Sequence, residues 1–304
     1  MENYDVIIIG GGPAGLSAAI YAIRGGCSVM LLEGGMIGGQ SSLTNDLSNY
    51  PGIKRTTGAE LALTMQSQAE ELGLNVCYEF AEKVDLKNKE ITTKNSHFKS
   101  NCIILCMGAK PRKLNVKGED EFLNAGVHYC ASCDGAFYRG KDVVVIGGAN
   151  SAVEEAIYLA NICNGVKLIT HSDRLKCQPY FLSTVEKLQQ SNKLEIMYNV
   201  DVQEILGDNV VKQIVVKRDK KLEKIATNGV FVAIGRVPDN HLINGQIELS
   251  KSGFIKTDEN MKTSIDGVFA AGDIRVKEVR QVITASADGA IAGTMASQYI
   301  NERR

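Results

Sequence analysis

Asp5-Val-Ile-Ile-Ile9 opens the first recognisable element, with four β-branched residues in a row. Apolar residues that do not alternate with polar ones predict a strand buried on both faces, as in a parallel sheet. Gly10-Gly-Gly-Pro-Ala-Gly15 then breaks the run. Leu16 to Arg24 reads as a helix, and Ser28-Val-Met-Leu-Leu32 as a second strand that ends in Glu33. The same order returns further on. Asp142-Val-Val-Val-Ile146 is a strand, Gly147-Gly-Ala-Asn-Ser-Ala152 a turn, Val153 to Asn161 a helix and Val166-Lys-Leu-Ile169 a strand. Strand, glycine turn, helix and strand, met twice, predict an α/β protein with two related units.

Other segments fill in around them. Gly34 to Gly52 is rich in Gly, Ser, Thr and Asn and reads as a loop that wraps a ligand, with Gly38-Gly-Gln40 and Asn49 inside it. Gly58 to Leu72 is a helix, and residues 76–105 alternate short strands with turns up to Cys102-Ile-Ile-Leu-Cys-Met107 and Gly108. Gly229-Val-Phe-Val-Ala-Ile-Gly-Arg236 is another strand and turn. Near the end, Val268-Phe-Ala-Ala-Gly-Asp273 is a short strand closing on an acid, and a helix is expected from about Ile283 to Ile300.

The first glycine turn has a defined chemistry. In Gly10-x-Gly12-x-x-Gly15, the first glycine permits a tight turn and the second lets a pyrophosphate approach the backbone. The third lets helix and strand pack closely. The amides and dipole at the helix start favour the phosphate charge. Glu33 stands 23 residues after Gly10, where an acid grips a ribose hydroxyl. The first unit is therefore expected to bind a dinucleotide. The second unit departs from this fingerprint. Ala149 takes the middle position, and its β-carbon obstructs a pyrophosphate. Neither an acid nor an arginine stands at the second strand's end, where Thr170-His-Ser172 is found. Arg174 and Lys176 follow a little later and remain alternative grips.

Between the two units lies His128-Tyr-Cys-Ala-Ser-Cys-Asp-Gly135. Two cysteines at this spacing can close a small disulfide, and one thiol of such a pair commonly has a pKa of about 7. Asp134 could move the proton. Half of a zinc site or two idle thiols are the competing readings. Zinc usually takes two such pairs, whereas here there is one, so no metal is expected.

Composition changes this picture little. The 304 residues suffice for two domains, and 44% hydrophobic with 23% charged residues fits a soluble enzyme. A net charge of −1 gives no reason to expect nucleic acid or an acidic membrane as partner. Of the 8 cysteines, most sit inside apolar runs, where Cys acts as a small hydrophobe and not as part of a secreted disulfide framework. No basic segment precedes the first strand, so a signal peptide is not expected and a cytoplasmic location is.

Taken together, Gly10 to Gly15, Gly38-Gly-Gln40, Asn49, Cys130-Ala-Ser-Cys-Asp134, Ala271-Gly-Asp273 and Arg280-Gln281-Val-Ile-Thr284 resemble the low-molecular-weight thioredoxin reductases over nearly the whole chain. The resemblance implies two Rossmann-like domains of the three-layer ββα type, the second inserted in the first. Residues 1–114 and 241–304 would form a discontinuous FAD domain, and 115–240 the insert that carries the disulfide. Gly10, Gly12, Pro13, Ala14, Gly15, Glu33, Gly34, Gly39, Gln40, Asn49, Gly108, Gly272, Asp273, Arg280, Gln281 and Val282 would hold FAD. Cys133 would face the flavin, Cys130 would attack the disulfide of thioredoxin, and Asp134 would serve as acid and base. The family also implies a homodimer, and hinge strands at Lys113 to Lys117 and Ala233 to Val237. The damaged second fingerprint is similar to that of the ferredoxin-dependent flavin thioredoxin reductases of anaerobic bacteria. Ferredoxin is thus the expected electron donor. NADPH or NADH, or a protein partner other than thioredoxin, are the alternatives. A basic surface would suit an acidic ferredoxin, with Lys110, Arg112, Lys113, Arg139, Lys141, Arg275, Lys277 and Arg280 as candidates.

Overall fold

The computed structural model describes residues 2–44 and 47–304. Its six α-helices, among the described residues, are α1 (Pro13–Arg24), α2 (Gly58–Glu71), α3 (Ala131–Asp134), α4 (Asn150–Ala160), α5 (Pro179–Gln190) and α6 (Val282–Asn301). The chain divides into two compact units. One comprises Met1–Lys110 with Val237–Arg304, and the other Pro111–Arg236.

The first unit is built on a seven-stranded sheet. Glu2–Ile9 lies at its centre, parallel to Val29–Leu32 on one side and His97–Leu105 on the other. Val268–Ala270 adds a further parallel strand against His97–Leu105. Lys83–Asp85 and Glu90–Thr92 continue the sheet as an antiparallel meander. The unbroken apolar run is explained by its two covered faces. Val6 and Ile8 pack with α1 and α6, whereas Ile7 and Ile9 pack with Val84, Ile91 and Ile243 on the opposite side.

The second unit repeats the plan on five parallel strands. Asp142–Ile146 lies between Gly165–Ile169 and Gly229–Val232. Again alternate residues serve two cores: Val143 and Val145 face α4 and α5, and Val144 and Ile146 face a three-stranded antiparallel sheet of 201–226. Helices, parallel sheet and antiparallel sheet make three layers in the second unit, and in the first the meander that continues the sheet packs Val84 and Ile91 on the side opposite α1 and α6, so the expected ββα architecture is present.

Several boundaries differ from the sequence expectation. Helix α1 begins at Pro13, three residues before Leu16, because proline fits the first helical turn where its missing N–H is no loss. Helix α4 likewise starts at Asn150. A short 3-10 helix, Gly39–Leu43, lies within the segment expected to be plain loop. The expected strand at Lys113 to Lys117 is absent. Glu119 is buried there and takes the amides of Leu114 (2.8 Å) and Asn115 (2.7 Å), which a strand partner would have needed. Asn115 also has φ of 58°. The strands that pair at the passage between units are instead Ala109–Pro111 and Arg236–Pro238.

Helix α6 closes the first unit by lying directly on α1. A methyl group at Gly289 would strike the carbonyl oxygen of Ala14, and one at Gly293 the carbonyl oxygen of Ala18. Ser17 Oγ donates to the Ser286 carbonyl at 2.7 Å in the same contact. No regular apolar stripe could have announced this packing, because it depends on the absence of side chains. Gly293→Val is expected to lower stability by about 3 kcal/mol through overpacking against backbone, measured by urea unfolding. A loss under about 1 kcal/mol would show that the helices can move apart freely.

Candidate active site

In the first unit the chain builds a pocket from backbone. Gly10 has φ of 108° and lies so close to Cys106 that a side chain would collide with its carbonyl. Gly15 touches the Gly10 carbonyl in the same way, which holds α1 against the turn. Gly12 differs. The nearest atom to a β-carbon placed there is the Gly38 oxygen at 4.0 Å, so its outer side is open. Gly38 crosses the turn and donates to the Gly11 carbonyl at 2.8 Å. Pro13 and Ala14 form the first residues of α1, whose amides face this opening.

Glu33 ends its strand as expected and closes the turn. One oxygen accepts from Gly11 N and the other from Gly35 N, both at 2.7 Å. Gly34 is covered by the Phe80 ring, and Gly39 and Gln40 begin the 3-10 helix beside Gly12.

The C-terminal candidates come to the same end of the sheet. Gly272 lies against Ala14, and its amide donates to Asp288 Oδ2 at 3.1 Å. Asp273 follows in a short 3-10 helix, Gly272–Ile274. Gln281 caps α6, with Val282 as the first helical residue. Asn49 Nδ2 donates to Gln281 Oε1 at 3.2 Å, which joins residues 232 apart in sequence. The Arg280 guanidinium lies 4.5 Å from the Phe254 ring centre. Gly108, with φ of 72°, accepts from the Asp239 amide at the passage to the second unit.

Sequence reasoning missed the support of this end. Asp288 on α6 is buried and takes Arg275 Nη1 at 3.2 Å and Lys277 Nζ at 2.7 Å. The network ties the Ala271-Gly-Asp273 turn to α6. Arg275 and Lys277 were candidates for a basic docking face, but they are committed inside. Lys110 and Lys113 pair with Asp239 and Asp120. Only the alternation of charge in Arg275-Val-Lys277 opposite a helical Asp288 carried any signal.

In the second unit the cysteines form a disulfide, Cys130–Cys133, with Cα atoms 5.3 Å apart. Helix α3 spans the motif, and Cys130 is its N-cap. Helix starts favour anions, which suits a thiolate once the bond is reduced. Ser132 Oγ lies 3.4 Å from Cys130 Sγ, ready to donate to it. Asp134 is half-buried at the end of the same helix. Burial pushes the thiols of Cys27, Cys102, Cys106 and Cys163 up, the last to about 11, so they are protonated and slow to exchange. Among the described residues no group of three His, Cys, Asp or Glu side chains could hold a metal ion. His128 faces Asp134 and not the sulfurs.

The second glycine turn is lined differently from the first. Ala149 stands where Gly12 does. The crossing position held by Gly38 is Lys176, whose amide donates to the Gly148 carbonyl at 2.7 Å. Gln178 N then bonds Asn150 Oδ1 at 2.8 Å, drawing the crossing segment to the helix start. The turn is the same, but the β-carbon of Ala149 stands where the first turn has Gly12.

The pyridine nucleotide-disulphide oxidoreductase family model matches residues 4–289. The chain belongs to this family. It is similar to the thioredoxin reductase of Peptoclostridium acidaminophilum, 43% identical over 99% of this chain and 98% of that one. The thioredoxin reductase structure from Streptococcus pyogenes superimposes with a TM-score of 0.88 at 36% identity, over 99% of both chains. A ferredoxin-flavin thioredoxin reductase from Clostridium acetobutylicum gives a TM-score of 0.54 at 30% identity, also over 99% of both chains. As a member of this oxidoreductase family the chain uses FAD, and the first unit's residues fit it. Gly12 leaves the opening a pyrophosphate needs, and the amides of Pro13's successors in α1 point at it. No helix among the described residues is long and apolar enough to cross a membrane.

Gly12→Val is expected to fold normally, because the protein itself leaves room there, yet to lose FAD. Absorbance of the flavin after gel filtration checks this. Full retention of yellow colour in a folded variant would remove Gly12 from the cofactor's path.

Proposed function

We propose that the chain is a thioredoxin reductase whose electrons come from reduced ferredoxin. The observation that carries the reading is the contrast between the two turns. One unit opens a glycine cradle, and the other keeps the turn with Ala149 at the position of Gly12, and carries the Cys130–Cys133 disulfide beside Asp134. An enzyme that took hydride from a pyridine nucleotide would need a second open cradle. Bound FAD supplies a carrier that can accept electrons singly and hand them on in pairs.

The rest is done by the chain's own residues. In the FAD unit, the amides of Gly12, Ala14 and Gly15 would face the pyrophosphate, while Gly10, whose N–H donates to the Leu32 carbonyl, makes the turn and Pro13, which has no N–H, sets the helix start. Glu33 and Gly34 lie at the ribose end, with Gly39, Gln40, Asn49, Gly108 and the Gly272, Asp273, Arg280, Gln281 and Val282 group around the remainder. Two electrons and two protons convert the Cys130–Cys133 disulfide to a dithiol. Two reduced ferredoxins, each giving one electron, balance that step. Cys130 thiolate, favoured by the α3 N-terminus and Ser132, attacks the disulfide of thioredoxin. The Cys130–sulfur bond forms as the partner's bond breaks. Asp134 takes the proton of Cys133, which attacks Cys130, re-forms the internal disulfide and expels the second partner thiol. We further assign the cytoplasm, where thioredoxin-type exchange operates, and a homodimer, as the relatives' resemblance implies.

A second reading has its own support. The family's description names a pyridine nucleotide, and the exposed Lys176 is joined to the second turn through its backbone amide. NADPH or NADH would then be gripped by Lys176 and Arg174 despite Ala149.

Two expected outcomes test the cysteine roles and the electron source in turn. Cys133→Ser should accumulate a Cys130–thioredoxin mixed disulfide on non-reducing gels, and Cys130→Ser should give none while keeping its flavin colour. Full thioredoxin turnover by Cys130→Ser would overturn the roles. The combined change Ala149→Gly, His171→Arg and Ser172→Arg should raise anaerobic NADPH oxidation at least about tenfold, since one well-placed phosphate contact of about 1.4 kcal/mol gives that factor. High NADPH oxidation in the unchanged protein would favour the second reading.

A further inference from the structure

A cavity of about 340 Å³ lies in the first unit, at the end of the sheet away from the glycine turn. Asp5 on its wall stands about 16 Å of strand before Gly10. Three parts of the chain enclose it. They are the starts of the strands Glu2–Ile9 and His97–Leu105, the turn at Asn88 and Lys89, and the end of α6 with Arg303 and Arg304. None of the residues assigned to FAD lines it.

Ser100 forms its floor. The residue is 6% exposed, and its hydroxyl has no hydrogen-bond partner. Its side chain shares a strand face with Cys102 and Ile104, the face that packs toward α6. Buried hydroxyls are nearly always paired, and one left unpaired destabilises the fold. The Ser100 backbone is by contrast committed. Its amide donates to the Lys89 carbonyl at 3.0 Å, which holds the turn over the strand.

The charge on the walls has one dominant sign. Lys89, Arg303 and Arg304 line the cavity, and Asp5 is the one acid among its lining residues. Asp5 Oδ2 is already engaged by Ser28 N, Ser28 Oγ and Arg304 Nη2. Among the described residues no carboxylate pairs with Lys89. Arg303 is fixed by the Tyr299 ring at 3.6 Å and by Asp266 at 3.3 Å. Its Nη1 donates to the Tyr299 carbonyl, and Arg304 Nη1 donates to the Gly26 carbonyl. A guanidinium has more donors than these bonds use, so both arginines keep N–H groups for a further acceptor. The last carbonyls of α6 would oppose an anion, but Arg303 Nη1 and the Arg303 amide take those of Tyr299 and Ile300.

We propose that this cavity binds the phosphate group of a small ligand, with Lys89, Arg303 and Arg304 facing the charge and the Ser100 hydroxyl donating to one oxygen. A tetrahedral oxyanion offers several acceptors at once, which suits donors that converge from three parts of the chain. Guanidinium and phosphate also match in geometry, whereas a carboxylate's two oxygens would leave donors idle. The volume lies at the small end of ligand sites and exceeds one phosphate, so a phosphomonoester of sugar size fits. The inference is independent of the electron donor and of the thiol exchange.

The test is isothermal titration calorimetry on the FAD-loaded protein. Inorganic phosphate and ribose 5-phosphate are the separate probes, with ionic strength held constant by sodium chloride. One saturable site per chain is expected, with a dissociation constant of about 1 mM or below and no change in flavin absorbance. Tighter binding of ribose 5-phosphate assigns a phosphomonoester, and tighter binding of phosphate assigns the free anion. Lys89→Gln and Ser100→Ala should each weaken the site about tenfold. Ser100→Ala has a second readout. It removes an unpaired hydroxyl, so the ligand-free variant should melt no lower than wild type, while phosphate should raise the wild-type midpoint further than the variant's. Absence of saturation by either probe up to about 10 mM overturns the inference. Unchanged affinity in both variants also overturns it, and so does a shift of the flavin spectrum, which would place the probe at FAD instead.

Discussion

Where backbone may touch backbone decides what each unit of this protein can hold. In the first unit, Gly15 against Gly10 and Gly289 and Gly293 against α1 bring two helices and a turn to contact distance. That contact fixes the helix start, and Gly12 leaves the space in front of it empty for a pyrophosphate. The second unit inherits the strand, turn and helix, but with a β-carbon at the position of Gly12. Ala149 and Lys176 occupy the equivalent positions, and Gly148 and Asn150 hold the crossing segment in place. On the proposed reading, a fold made for two nucleotides keeps one cradle and uses the other unit to present a disulfide.

The thiol chemistry follows from burial in the same way. Four of the remaining cysteines lie in or against the cores, and their thiols are held protonated by desolvation. Cys130 and Cys133 stand instead at the start of a one-turn helix, with a hydroxyl and a carboxylate beside them. The dipole, Ser132 and Asp134 act on one pair of sulfurs and not on the others. His128 and Tyr138 extend that small polar group inward through an aromatic cluster, where few alternative partners exist.

The strand-turn-helix units were legible because an uninterrupted apolar run and a glycine triplet are local signals. The sheet order around Asp5 and Asp142, and the approach of Gly272 to Ala14 beside that turn, came only with the structure. What could not be read were contacts that join distant residues. Asp288 with Arg275 and Lys277, Glu119 with the amides of Leu114 and Asn115, and Asn49 with Gln281 leave no periodic trace. The strand expected at Lys113 to Lys117 fails for this reason: it was implied by the resemblance alone, and the buried carboxylate that captures its amides could not be seen in the sequence. Two positions singled out as a basic docking face proved to be interior, since charge alone does not reveal which side of the chain is solvated. His128 was visible as the histidine nearest the cysteines, yet its orientation toward Asp134 depends on Phe231, a hundred residues away.

The most direct measurement is anaerobic reduction of the bound flavin. The purified yellow protein is mixed in turn with NADPH, NADH and reduced ferredoxin, and absorbance at the flavin maximum is followed in the stopped flow. The account predicts rapid bleaching by ferredoxin and bleaching at least about a hundredfold slower by either pyridine nucleotide, the factor given by about 2.7 kcal/mol of lost phosphate and ribose contacts. Rapid bleaching by NADPH or NADH would contradict it, and would mean that the turn lined by Ala149 and Lys176 still admits a nicotinamide.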